Sequence, residues 1–199
     1  MKKVLLLLAE GFEIYEASVF IDVMGWNLVE GDGSTRLYSC GLQKQIKSTF
    51  GQTFIVDLTL DEVNVDDFDA LAIPGGFTEF NFYRDAYDER FLDLIRAFNS
   101  KNKIIASVCT GALPIAKSGI LSGCSGTTYN RNPLHHETLR KFGVNAVNEP
   151  VVESKNIITS WNPSTAMNVA FLLLEKLTSA ANTEKIKYRM GFAETETKE

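Results

Sequence analysis

Residues Lys103 to Ile120, KIIASVCTGALPIAKSGI, constrain the fold more than any other stretch of this chain. A short apolar run, Ile104-Ile105-Ala106, leads through Ser107-Val108 into Cys109, and helix-forming residues then continue to Gly119. A buried strand that ends on a nucleophile-sized residue and restarts as a helix is a nucleophile elbow. The turn is expected to force Cys109 into a strained, exposed position. The new helix aims its free N–H groups and positive dipole end at the sulfur, which favours the thiolate. Gly111 fits the same picture, because a residue without a side chain lets strand and helix pack closely beside the turn. The competing reading is a buried cysteine in an ordinary strand-to-helix junction, since free cysteine is among the most buried residue types.

The rest of the chain supplies the setting. Val4 to Ala9 is a continuous apolar run, as in a strand covered on both faces of a parallel sheet. The N-terminal MKKVLLLLAEG is too short in its apolar part for a signal peptide and lacks a small-residue cleavage site. Glu10 to Glu13 makes a turn, and Tyr15 to Val29 carries Val19, Phe20, Val23, Met24 and Leu28 at helical spacing. Arg36 to Cys40 reads as a second strand. Gln43 to Leu58 reads as a hairpin turning at Gly51, and Asp61 to Phe68 as a loop or a single helical turn. Asp69 to Ile73 is another buried strand, closed by Pro74-Gly75-Gly76. An aromatic segment, Phe77 to Tyr87, precedes a helix from Asp88 to about Asn99. Beyond the elbow, Gly126 to Tyr129 reads as a short strand, and a small helix follows Pro133 and ends at Gly143. Val147 to Val152 and Asn156 to Trp161 read as paired strands around Glu153-Ser154-Lys155. Asn162-Pro163-Ser164 starts a long helix, with proline early as helix starts prefer. A last helix covers Thr183 to Met190, and the terminal ETETKE frays.

Strands alternating with helices predict an α/β sandwich, a mainly parallel sheet with helices on both faces, in one domain spanning 1–199. Such folds place ligand sites at the carboxyl ends of their strands. Three features fall there: Glu13 and Glu16 after the first strand, Gly75-Gly76 after the Ile73 strand, and Cys109. The net charge is −5 with no basic cluster, which argues against nucleic acid, and no run approaches transmembrane length. Three cysteines at unrelated spacings fit a reducing cytoplasm better than a disulfide framework. No CxxC or HxxxH spacing suggests a metal, and nothing calls for a cofactor. A nucleophile needs donors for a developing anion, and the N–H groups of Gly75, Gly76 and Thr110 are the candidates.

Taken together, Gly11-Phe12-Glu13…Glu16, Pro74-Gly75-Gly76 and Val108-Cys109-Thr110-Gly111 resemble the ThiJ/PfpI superfamily. That superfamily includes the Parkinson-associated protein deglycases and is related to the class I glutamine amidotransferases. Thr127-Thr128-Tyr129 and the segment from Ile158 to Ala166 agree in order. The resemblance implies a flavodoxin-like fold, usually a homodimer, with Glu16 protonated beside Cys109 and Glu13 left as a turn residue. A carboxyl and a thiol sharing one proton titrate as a pair. Three departures narrow the chemistry. Family proteases carry histidine directly after the cysteine, where this chain has Thr110. Glyoxalase and deglycase members carry histidine after the Thr-Thr pair, where this chain has Tyr129. Trp161-Asn162 stands where many relatives have Arg-Gly, which weakens any anion-binding role of that loop. The only histidines, His135 and His136, are expected on the exposed side of the small helix, with either able to lean into the pocket from this chain or a dimer mate. Cys-Thr-Gly at the elbow is also what isonitrile hydratases of the superfamily carry, although they use Asp where this chain has Glu16. The aromatics Phe77, Phe80, Phe82, Tyr83 and Tyr87 could roof a small apolar pocket or bury a dimer contact, and most are assigned to core or dimer contacts. The expected function is therefore hydration or hydrolysis of a carbon–nitrogen bond in a small molecule. A thiol redox sensor, or glyoxalase or deglycase chemistry with a substituted base, is the alternative.

Overall fold

A computed structural model describes residues 1–194 of the chain; the expected frayed tail, apart from Glu194, lies outside them. The first strand, β1 (Lys2–Leu8), explains its own unbroken hydrophobicity. Val4, Leu6 and Leu8 enter one core, while Leu5 and Leu7 enter a second on the opposite face. Side chains alternate across a strand, so a strand covered on both sides must be apolar throughout.

In chain order, α1 (Ile14–Glu30) and β2 (Thr35–Gly41) follow, then a hairpin of β3 (Gln45–Lys47) and β4 (Thr53–Ile55), and β5 (Leu58–Thr59). Gly51 turns the hairpin at φ 88°, where a side chain would be strained. Two single 3₁₀ turns cross residues 60–67 before β6 (Ala70–Ile73). Next come α2 (Phe82–Ala86), α3 (Glu89–Ser100, capped by Asp88), β7 (Ile104–Ser107) and α4 (Ala112–Lys117). The remainder is β8 (Ser125–Gly126), α5 (Pro133–Lys141), β9 (Asn145–Ala146), β10 (Val151–Ser154), β11 (Ile157–Ser160), α6 (Ala166–Leu177) and α7 (Ala180–Arg189).

Seven strands form the main sheet in the order β10-β11-β7-β6-β1-β2-β5, all parallel except the edge strand β10. Helices α1 and α6, with Ile186 of α7, cover the face that receives Val4 and Leu6; α3 and α4 cover the other. This is the flavodoxin-like α/β architecture expected. From β1 the chain proceeds outward to β2 on one side and returns to β6 on the other. The carboxyl ends of β1, β6 and β7 therefore flank a topological switch point.

Four details differ from the sequence reading. Leu28, expected on the buried face of α1, is 37% exposed, because the buried stripe runs through Phe20, Val23, Met24 and Asn27 and passes beside it. The strand expected at 126–129 stops at Gly126, and Thr127 leaves it by donating its N–H to Thr159 Oγ1. The β10–β11 turn sits at Lys155-Asn156, with Lys155 at φ 56°; Pro150, which has no N–H to donate, stands just before β10. The elbow restarts as a 3₁₀ turn, Cys109–Gly111, before α4, so the helix at the sulfur is shorter than expected.

Candidate functional site

The β3–β4 hairpin fixes the turn that follows β1. Gly11 donates its N–H to Lys47 O, Thr49 donates to Phe12 O, and Glu10 Oε2 accepts from Lys47 N. Glu13 then caps α1, its carboxylate accepting the N–H groups of Tyr15 and Glu16, while its own N–H reaches Gly75 O at 2.7 Å. The turn residue of the sequence reading is thus a helix cap that also borders the site. One residue pair is placed by this scaffold: Glu16 on the first turn of α1, and Gly75 at the end of β6. Glu16 is fully buried, and its Oε2 accepts the Gly75 N–H at 2.7 Å. A Cβ on Gly75 would lie 2.7–2.9 Å from Thr110 Oγ1, Thr110 N and Glu16 Oε2, so only glycine lets these three groups meet.

Cys109 sits at φ 56°, the left-handed region that non-glycine residues enter at a cost of about 1–3 kcal/mol. The surrounding contacts hold it there. Thr110 Oγ1 accepts the Gly76 N–H and donates to Gly76 O, both at 2.9 Å, and Thr128 Oγ1 donates to Cys109 O. The thiol interacts with the Glu16 carboxyl and receives the Thr110 N–H. Glu16 Oε1 is buried and has no hydrogen-bond partner of good geometry. A shielded carboxyl oxygen beside a sulfur is what a protonated acid donating to that sulfur requires.

Burial pushes the Glu16 carboxyl up to about 8, against the pull of the Gly75 N–H; the neighbouring Glu13 adds to the rise. Burial also pushes the Cys109 thiol up, and a charged Glu16 would push it further, while the Thr110 N–H works the other way. This corrects the expectation that the helix dipole draws the thiol down. Desolvation outweighs a helix whose first turn is 3₁₀. Burial thus favours the protonated form of each group, and the two titrate together as a pair.

Above the sulfur lies a cavity of about 330 Å³, the size of a small-molecule site. Its lining brings together Glu16, Gly76, Cys109, Thr110, Tyr129 and His135 from the sequence candidates. Gly75 lies beneath it, bound to Glu16. His135 packs edge-on against Tyr129 with ring centres 5.6 Å apart. Burial and the adjacent His136 hold the His135 imidazole below its usual range, hence neutral at pH 7. His135 thus leans into the site from this chain, whereas His136 lies outside the lining and touches the Thr128 backbone. The three N–H groups expected to hold an anion all have partners: Gly75 serves Glu16, Gly76 serves Thr110 Oγ1, and Thr110 serves the sulfur.

Sequence reasoning missed Glu79, Asn132 and Pro163 and assigned Phe77 and Tyr83 elsewhere. All five line the cavity, while Phe82 is core and Phe80 is exposed. The signal for Phe77 and Tyr83 was present, since both follow the Gly75-Gly76 turn that ends beside Cys109. Among the described residues, no lysine or arginine lines the cavity, but Glu13 and Glu79 do. Asn162 donates to Asn130 and caps the 3₁₀ turn before α6. An anionic reagent is therefore expected to enter poorly. Iodoacetate should alkylate Cys109 about tenfold more slowly, relative to iodoacetamide, than it alkylates a free thiol. That needs only about 1.4 kcal/mol of repulsion, and the gap should narrow with added salt.

The family model described as DJ-1/PfpI family matches residues 2–176. The chain belongs to the DJ-1/PfpI family. A deglycase of Pyrococcus abyssi is 30% identical over 161 residues, covering 81% of this chain and 90% of that protein. The crystal structure of Drosophila melanogaster DJ-1beta superposes with a TM-score of 0.83 at 27% identity, covering 96% of this chain and 98% of that one. An isonitrile hydratase of Pseudomonas putida is 25% identical over 155 residues, 78% of this chain and 60% of that protein. Within the family fold, the Glu16–Cys109 pair lies where β1 and β7 end.

Proposed function

We propose that this member of the DJ-1/PfpI family is a cysteine-dependent enzyme that hydrates or hydrolyses a carbon–nitrogen bond in a small, uncharged molecule. The observation that carries the reading is the buried Glu16 carboxyl, held protonated against the Cys109 thiol at the floor of a small cavity. Such a pair holds both a nucleophile and an acid. With an isonitrile, the sulfur bonds to the terminal carbon, that carbon takes the proton of Glu16, and Glu16 takes up the proton leaving the thiol, giving a thioimidate. Water then adds to the imidoyl carbon. One hydrogen of that water goes to nitrogen and the other to sulfur as the carbon–sulfur bond breaks, and an N-substituted formamide leaves.

His135 supports a second reading. A neutral imidazole in the cavity supplies the base whose usual positions are occupied by Thr110 and Tyr129, and α-ketoaldehyde chemistry then becomes accessible. A homodimer belongs to the same proposal, supported by the exposed Tyr15, Ile21, Trp26 and Val29 on α1. Sedimentation should return about twice the 22.1 kDa chain mass.

The functional test is a panel of isonitriles, primary amides and α-ketoaldehydes, offered before and after stoichiometric alkylation of Cys109. Turnover of a panel member that disappears on alkylation is the expected result. Turnover that survives alkylation removes Cys109 from the chemistry. Peroxide conversion of Cys109 to sulfinic acid, with no panel member consumed, replaces the enzyme by a thiol sensor.

A further inference from the structure

We infer that the Tyr83 hydroxyl is a catalytic hydrogen-bond donor, holding the negative charge that develops when Cys109 adds to an unsaturated carbon. The inference rests on the nucleophilic role proposed for Cys109. Every backbone N–H that an elbow of this kind offers is engaged here. Gly75 binds Glu16 Oε2 at 2.7 Å, Gly76 binds Thr110 Oγ1 at 2.9 Å, and the Thr110 N–H points at the sulfur. An addition intermediate formed at Cys109 would otherwise place a new anion among donors that are already occupied.

Tyr83 meets the need. It lines the cavity with Cys109, its hydroxyl is shielded from solvent, and that hydroxyl has no hydrogen-bond partner of good geometry. It lies within interaction range of both the Thr110 side chain and Cys109. A buried, unpartnered donor is costly to leave unsatisfied. It is therefore poised for an acceptor that arrives with the substrate. The ring is fixed from behind, edge-on to Phe82 at 5.1 Å and tilted against Tyr87 at 4.9 Å, so the hydroxyl cannot turn away to water. Burial, reinforced by Tyr87, pushes the phenol above its usual range, and the hydroxyl remains protonated wherever the enzyme works. It acts as a donor that keeps its proton. In the addition to an aldehyde, the sulfur–carbon bond forms and the carbonyl π pair moves to oxygen. That oxygen then takes up the proton released by the Cys109–Glu16 pair while Tyr83 holds it.

Two probes of Cys109 separate this role from packing. Iodoacetamide reacts by displacement of iodide and develops no oxyanion. Methylglyoxal reacts by addition and develops one. The rate of hemithioacetal formation, followed by ultraviolet absorbance, should fall about 100-fold in Tyr83→Phe, as for loss of one such donor. Alkylation by iodoacetamide, mapped to Cys109 by mass spectrometry, should stay within about twofold. Equal loss of both reactions in Tyr83→Phe would make the ring a packing element and overturn the inference, as would no change in either. Wild-type protein that reacts with neither probe at Cys109 would instead remove the nucleophile on which the inference rests. Phenylalanine keeps the ring contacts, and an unchanged thermal midpoint verifies that the variant is folded.

Discussion

Exchange of Glu16 for glutamine should slow turnover and neutral-pH alkylation of Cys109 by about 100- to 10,000-fold, the range for loss of a positioned acid–base group. Glutamine keeps the size of the side chain and its oxygen still accepts the Gly75 N–H, so the exchange removes the proton and little else. In the wild type the Glu16 O–H can hold the thiolate as the thiol gives up its proton. In the variant the thiol must surrender it to water, while burial still holds that thiol high. The alkylation profile should therefore move to higher pH. An unchanged rate and onset would separate Glu16 from the thiol.

The same exchange has a signature in stability. Burial pushes the Glu16 carboxyl up to about 8 in the folded protein, from the 4.5 of the unfolded chain. Between those values the native state holds a proton that the unfolded chain has released. Native stability therefore falls as pH rises through this window. The advantage of the neutral acid is fully present below 4.5 and lost by about 8. At about 1.4 kcal/mol per unit, roughly 5 kcal/mol is at stake. Glu16→Gln lacks that slope. Its stability measured against wild type should improve steadily from acid to mildly alkaline pH by denaturant titration. Parallel profiles would mean that Glu16 is ionised in the native state.

What could be read in advance follows from where the information is local. The apolar runs of β1, β6 and β7 identify themselves because strands covered on both faces tolerate few polar residues. Positive φ at Gly51 and the cap at Asp88 are likewise written in short windows. The elbow was legible because Val108-Cys109-Thr110-Gly111 combines a strand end, a nucleophile and a close-packing glycine. What escaped depends on distant neighbours. Whether Tyr83 faces the core or the cavity is decided by how α2 sits beyond the Gly75-Gly76 turn. The position of His135 is decided by α5 folding back so that its imidazole meets Tyr129. The sign of the Cys109 shift escaped for the same reason. The dipole argument is local, whereas the burial that overrides it comes from α1 and from the loops after β6 and β8.

Gly111→Ala should be among the most damaging single-methyl changes at the site. A Cβ there would lie 2.5 Å from Ile73 O and 2.9 Å from Pro74 O. Both are backbone atoms at the end of β6, so neither can rotate away as a side chain would. Relief requires α4 to retreat from the sheet, and overpacking of this kind costs about 1–3 kcal/mol. In a chain of this length that corresponds to a fall in melting temperature of roughly 5 °C. The retreat carries the preceding turn with it. Thr110 Oγ1 would be drawn from Gly76, and Cys109 would lose the contacts that hold it at positive φ. Alkylation of Cys109 should then approach the pH profile of an ordinary thiol, because the Glu16 carboxyl stays with Gly75 while the sulfur moves. Gly123→Ala provides the comparison. Its glycine has positive φ, unlike Gly111 at φ −60°, and a Cβ there meets nothing within 4 Å. It should lower stability through backbone strain alone and leave the reactivity of Cys109 untouched. If both variants lose stability equally and keep wild-type alkylation, the close approach of elbow and strand end is not what sets the geometry of the thiol.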